Sequence, residues 1–315
     1  MMNNKIKGGM YAAISAISYG FNPLCALYLY QDHFTPGSVL FYRFAFASVF
    51  LALFVAIQRK NFKVERKELP TLILLGFIFA VSSITYFLSF ELLGAGIAAT
   101  LVFAYPVMTA IIMATFFKEK LAVHTILAIV LTVLGIVSLY DKGDGGTIST
   151  LGVETVLASA LAYAIYIVTV NRSSLMMSSI KLTFYASLFC WLFVAAYTLL
   201  SSEGIQPLET PRQWIFSALL GLVPTVMSLV FMAMAIKEIG STPTAIMGAL
   251  EPVTAVIIGA VCFGEAITSQ LLVGVALILI AVLLVIAGGS IHKPKFVVKV
   301  TDMGKKLIKN RWIWK

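Results

Sequence analysis

Two ionisable side chains stand where so apolar a chain can least accommodate them. Glu251 interrupts "IMGALEPVTAVIIGAV", Ile246 to Val261, and is followed at once by Pro252; Arg43 interrupts "SVLFYRFAFASVFLAL". An ionised group at the centre of a membrane helix costs roughly 3 kcal/mol on insertion scales, so Glu251 must face a protein interior, be paired, or hold a proton. Three uses are open to such a carboxyl. It can exchange a proton with a solute, contact a solute amine directly, or help satisfy a kinked backbone, because Pro252 cannot donate to the carbonyl of Gly248. Glu251 lies nine residues after Thr242, or about 13 Å along a helix at 1.5 Å per residue, near the middle of a bilayer. Arg43 reaches a similar depth in its own segment, where it can either pair with Glu251 or snorkel to the outer headgroups.

Other side chains in the apolar segments carry weaker chemistry. Tyr19, Tyr86, Tyr105, Tyr163 and Tyr166 each hold a hydroxyl that wants a partner, and a group of them can line a cavity that stacks on or hydrogen-bonds a metabolite. Taken singly, each is equally at home as core packing or an interface anchor. Asn22, beside Pro23, and Ser228 join the candidates. Pro106 and Pro252 are expected to bend their helices. Cys25, Cys190 and Cys262, with His33, His124 and His292, are too scattered for a disulfide framework or a metal site, and no cofactor is expected. No G-x-x-x-x-G-K-[ST] loop occurs, which argues against direct use of ATP.

The elements that must position these residues follow from composition. Of 315 residues, 60% are hydrophobic and 12% charged, with a mean hydropathy of +0.97, far from the roughly 25% charged residues of a soluble domain. Runs of about 20 apolar residues occur near 8–30, 35–57, 70–90, 95–117, 122–140, 151–171, 180–200, 213–236, 242–263 and 268–288. They predict an all-α membrane protein of ten transmembrane helices with short connections. The N-terminal run is too long for a signal peptide and is read as the first span. Of 23 lysines and arginines, all but Lys142, Arg212 and Arg43 fall at one set of alternate ends or in the tail, which predicts both termini in the cytoplasm. The net charge of +9 therefore needs no nucleic-acid partner; the basic tail, with Trp312 and Trp314, suits either an anionic lipid surface or plain solvent.

The chain also repeats itself. At an offset of 146 residues, Gly94, Pro106, Phe117 and Glu119 match Gly240, Pro252, Phe263 and Glu265; at 144, Gly8, Ser15, Ala16 and Tyr19 match Gly152, Ser159, Ala160 and Tyr163. This predicts a first five-helix repeat over 1–140, a Gly-rich linker over 141–150, a second repeat over 151–288 and a basic cytoplasmic tail over 289–315. An odd number of helices per copy makes the repeats inverted, an arrangement typical of secondary transporters. Glu119 and Glu265 are read as turn or cap residues. Ala12, Ala16 and Gly20, echoed by Ala160 and Ala164, are read as sites of close helix contact.

Arg43 in "SVLFYRFAFASVFLAL" and the "LEPV…GE" pattern around Glu251 and Glu265 resemble the EamA family of the drug/metabolite transporter superfamily, over roughly residues 8–288. The first copy departs from the pattern, with Tyr105 opposite Glu251 and Lys118 where glycine is usual. The resemblance implies a ten-helix bundle with a central cavity and export of amino acids or other small metabolites across the bacterial inner membrane. It singles out Tyr86, Tyr105 and Tyr163, whose helices resemble the cavity-forming ones. The expectation is a multi-pass secondary transporter, not an enzyme, acting on a small-molecule substrate amid membrane lipid, with protons as a candidate coupling ion. Uptake or facilitated exchange, a lipid-modifying membrane enzyme and a scaffold are the alternatives.

Overall fold

Apolar runs whose amides must be satisfied without water leave the backbone one option, and the described residues are helical with no strand. The computed structural model describes residues 4–58, 61–118, 123–140, 148–173, 175, 177–202, 204–240, 243–244 and 247–291. Most of the predicted linker and the tail lie outside this set, as does Glu119. In order, the helices are α1 (Asn4–Gly20), α2 (Asn22–Gln31), α3 (Pro36–Ile57), α4 (Leu69–Leu93), α5 (Ala95–Val102), α6 (Tyr105–Phe117) and α7 (Val123–Tyr140). There follow α8 (Thr150–Arg172), α9 (Ser179–Leu200), α10 (Pro211–Gly221), a π-helical segment (Leu222–Met227), α11 (Ser228–Ile239), α12 (Leu250–Phe263) and α13 (Ser269–Ile291). Among the described residues, eight helical stretches are long and apolar enough to cross a membrane, and Val123–Leu139 and Leu250–Phe263 are shorter apolar helices. This is a multi-pass membrane protein.

The expected bends at Pro106 and Pro252 are instead breaks. The helix stops after Val102 and restarts at Tyr105; a turn at Gly248 and Ala249 likewise precedes α12. Each proline therefore sits in the first turn of a new helix, where its missing N–H would have had no helical acceptor anyway. The Gly248 carbonyl, which Pro252 cannot serve, accepts instead from the Glu251 N–H at 2.9 Å. A third break, at Phe21, separates α1 from α2 beside Pro23. Pro224 is absorbed differently, inside the π-helical segment, whose wider turn accommodates the lost hydrogen bond.

Helices pack mainly across the two sequence repeats. α1 lies against α11, α4 against α8, and α7 against α13, while α9 contacts both α3 and α4. Lys7 meets Glu238 at 3.9 Å, and Gly8 abuts Ile239, so α1 and α11 run antiparallel. Equivalent serines join both pairs. The Ser15 hydroxyl donates to the Ser228 carbonyl at 2.8 Å, and the Ser159 hydroxyl to the Ser82 carbonyl at 2.7 Å. In each pair the two hydroxyl oxygens are 3.3 Å apart. Ser15 and Ser159 are 144 residues apart, Ser82 and Ser228 146 apart. Backbone geometry repeats too: Gly94 has φ 80°, ψ 171° and Gly240 φ 86°, ψ 169°.

Lys118 and Gly264 form another such pair, both left-handed at the end of a helix, with φ 55° and 69°. The departure from glycine noted in the sequence thus leaves a lysine in a conformation that costs an L-residue about 1–2 kcal/mol. Because glycine also loses more chain entropy on folding, Lys118→Gly is expected to stabilise the protein by a net 0.5–1 kcal/mol or so, read as a higher thermal midpoint in detergent.

Candidate functional site

The broken helices bring their ends to the middle of the bundle, where a cavity of about 340 Å³ opens. Glu251 in the first turn of α12 and Tyr105 at the first residue of α6 enter it from the two restarted helices. Tyr86 comes from α4, Tyr163 from α8, Arg43 from α3 and Ser228 from α11. The structure thus gathers Glu251, Arg43, Tyr86, Tyr105, Tyr163 and Ser228 around one space, and Pro106 also lines it. Pro252 is buried but is not part of the lining.

Asn22 does not line the cavity either. Its amide donates to the Tyr19 carbonyl at 3.0 Å, which is the acceptor the N–H of residue 23 would have served had it not been proline. Asn22 patches a backbone break. Tyr19, the residue it braces, does line the cavity, within electrostatic reach of both Arg43 and Glu251.

The two ionisable groups share the cavity without forming an ion pair. Arg43 is 3% exposed, so it does not snorkel to headgroups. Its Nε donates to Thr225 Oγ1 at 3.4 Å, and its guanidinium lies over the rings of Phe44 and Phe87 at 5.1 and 5.2 Å. Thr225 is available there because the π-helical segment holds it. The Glu251 carboxyl makes no hydrogen bond or ion pair with any described side chain; only its backbone is engaged. The aromatic wall is tightly ordered: Tyr105 meets Tyr163 edge-on at 4.8 Å, Phe103 meets Tyr105 at 5.8 Å, and Tyr163 stacks on Tyr166 at 5.8 Å.

Several lining residues escaped the sequence reading. Ser15, Ser82 and Ser159 are both helix clasps and cavity wall, and Ser83, Phe79 and Thr244 add to the lining. The match of Ser15 to Ser159 was the available signal, since a polar side chain kept at equivalent positions of two apolar helices has a partner to meet.

The cavity extends along α1 past Ala16 and Ala12 and along α11 past Met232 to Ile236, toward the Lys7–Glu238 end of the bundle. At the opposite end the described side chains pack on one another and do not line the cavity. There Phe263 packs on Tyr28 at 5.2 Å, Tyr28 stacks on Phe216 at 4.8 Å, and Arg212 covers both Tyr28 and Phe216. Glu265, the expected cap residue, accepts from the N–H groups of Ala95 and Gly96 at 2.5 and 3.0 Å and so caps α5 from beyond the end of α12. Gly94, Gly96 and Gly259 leave the room: a Cβ at Gly94 would lie 2.7 Å from Glu265 Oε1, and one at Gly259 would overlap Oε2.

A broken-helix cavity between two halves of a multi-pass bundle, lined by a carboxyl, a guanidinium and tyrosines, defines a membrane protein built around a solute-sized chamber. The model of the EamA-like transporter family matches the chain twice, over residues 6–140 and 150–287, and the chain belongs to that family. Relatives include the uncharacterized transporter sll1319 of Synechocystis sp., 29% identical over 66% of this chain and 64% of its own length, so just under two thirds of that relative is spanned. The uncharacterized transporter YdfC of Bacillus subtilis is 25% identical over 77% of this chain and 79% of its own. An uncharacterized transporter of Archaeoglobus fulgidus is 24% identical over 86% and 95%. A solved crystal structure shares the fold, with a TM-score of 0.62 at 15% identity over 88% of this chain and 96% of its own. A membrane transporter is the class these findings support.

Proposed function

We propose that this transporter exports amino acids or related small metabolites across the bacterial inner membrane by alternating access, with protons as the coupling ion. The observation that carries the reading is a cavity lined from both halves of the chain and running along α1 and α11 toward the Lys7–Glu238 end, with a Glu251 carboxyl that has no partner among the described side chains facing it. On this reading ten spans form two inverted five-helix copies, 1–140 and 151–288, joined by the linker and followed by the cytoplasmic tail. The paired serines, the matching glycine dihedrals and the double family match support it.

The basic residues near the Lys7–Glu238 end, Lys7 and Lys237 among them, support a cytoplasmic assignment for it, since the positive-inside rule reads orientation from Lys and Arg. This conformer then loads from the cytoplasm. Release on the far side requires the Tyr28–Phe263 contact and the Glu265 cap on α5 to part, while the Lys7–Glu238 end closes. Glu251 can carry a proton through that exchange because no partner among the described residues holds its carboxyl.

Reconstitution of the purified protein into liposomes, with a panel of labelled amino acids and an imposed pH gradient, tests the proposal. Saturable flux of at least one solute, changed by the gradient, is the expected result. No flux of any solute would count against transport, and flux indifferent to the gradient against proton coupling.

A further inference from the structure

Arg43 is a buried cation with no anion paired to it among the described residues. Its neighbours are neutral: Thr225, the faces of Phe44 and Phe87, and the phenol of Tyr19. Among the described residues no carboxylate lies in ion-pair range of it, although Glu251 lines the same cavity. Burying an unpaired charge is costly, and a protein usually avoids it by pairing the group or placing it where something else will. The cation–π faces and the threonine orient the guanidinium without neutralising it. A planar fork with free N–H donors matches a carboxylate in bidentate geometry.

We propose that Arg43 is the receptor for a carboxylate of the transported solute and Glu251 for its ammonium, so that the cavity takes zwitterionic α-amino acids with an apolar or aromatic side chain. This deepens the transport reading and rests on it. The two charged groups stand apart in one chamber, which suits a solute carrying both charges and opposes one carrying two of the same sign. The rest of the lining is mostly rings and apolar side chains, Phe79, Phe103, Tyr105, Tyr163, Leu229 and Met232, and among the described residues it holds no further side chain charged at neutral pH. Serine hydroxyls at the clasps are already committed to backbone carbonyls and to each other.

The test measures binding to the detergent-purified full-length chain, which needs no flux. Three probes share one side chain: L-phenylalanine, 2-phenylethylamine, which lacks the carboxylate, and 3-phenylpropionate, which lacks the amine. The wild type is expected to bind L-phenylalanine roughly 10- to 100-fold more tightly than the amine, the loss expected when hydrogen bonds to a charged group are removed. Arg43→Gln should abolish that preference while leaving the preference for L-phenylalanine over 3-phenylpropionate, which Glu251 supplies. Arg43→Lys should restore the preference in part, keeping charge and losing the fork. Equal wild-type binding of the zwitterion and the amine, or an undiminished preference in a folded Arg43→Gln, overturns the assignment. So does a wild type that binds none of the three. Tight, discriminating binding with no flux in liposomes would leave the receptor standing and overturn the transport reading instead; should Arg43→Gln fail to fold, the wild-type ranking and the lysine variant decide.

Discussion

Glu251→Gln is expected to cut solute flux by about tenfold or more while leaving the folded protein within about 0.5 kcal/mol of the wild type. The two halves of that expectation come from the same fact. The carboxyl has no hydrogen-bond or ion-pair partner among the described side chains, so an amide of the same shape disturbs no contact. Its backbone bond to Gly248 is untouched. What the amide cannot do is bear a negative charge toward an ammonium or take up a proton. In the wild type, lowering the pH protonates the carboxyl and removes the attraction for a cationic group, so affinity for an amine-bearing solute falls with pH. In the variant that pH dependence is expected to flatten. Flux and binding across pH 5 to 8 in the two proteins are the measurement, and a variant whose transport and pH profile match the wild type removes Glu251 from coupling.

Gly76→Ala is expected to be the more damaging change to the fold, by about 1–3 kcal/mol. An added Cβ there would overlap the Phe189 Cβ and sit 2.9 Å from the Phe189 carbonyl carbon and 3.0 Å from the Cys190 nitrogen. Backbone cannot swing aside as a side-chain tip can, so α4 and α9 would have to separate. Of the two, α4 bears cavity residues, Tyr86 and Ser82 among them. Gly9 provides the contrast within the same protein. A Cβ at Gly9 meets nothing within 4 Å, and Gly9→Ala is expected to stabilise α1 by about 0.5–1 kcal/mol. Thermal unfolding of the two variants in one detergent checks the pair; equal effects would show that the α4–α9 spacing is slack.

The helices were legible because a membrane span is written as length and apolarity, and the segment from Ser179 to Leu200 falls within a residue of its expected place. Hydropathy is blind to hydrogen bonding, and so it ran straight through the breaks before Tyr105 and Leu250. The prolines marked the spot without saying whether the chain would bend or stop. Depth along a helix was equally legible, and it put Arg43 and Glu251 on one level. Azimuth was not, and the pairing question could be answered only when α3 and α12 had directions. Asn22 illustrates a different ambiguity: a polar side chain next to a proline serves the backbone as readily as a solute, and its geometry alone separates the two. The clasp serines look in sequence like tolerated small residues, and only their partners on the opposite helix give them meaning.

Those clasps also say what kind of object each half is. Ser15 reaches from the first copy into the second, and Ser159 reaches back. With α1 on α11, α4 on α8 and α7 on α13, the strongest contacts of each copy are with the other one. Residues 1–140 alone would keep Ser15 and Ser82 and lose both of their partners in lipid, where an unsatisfied hydroxyl has no water to turn to. The two halves of the sequence are therefore interleaved fingers of one grip, and neither is a hand by itself.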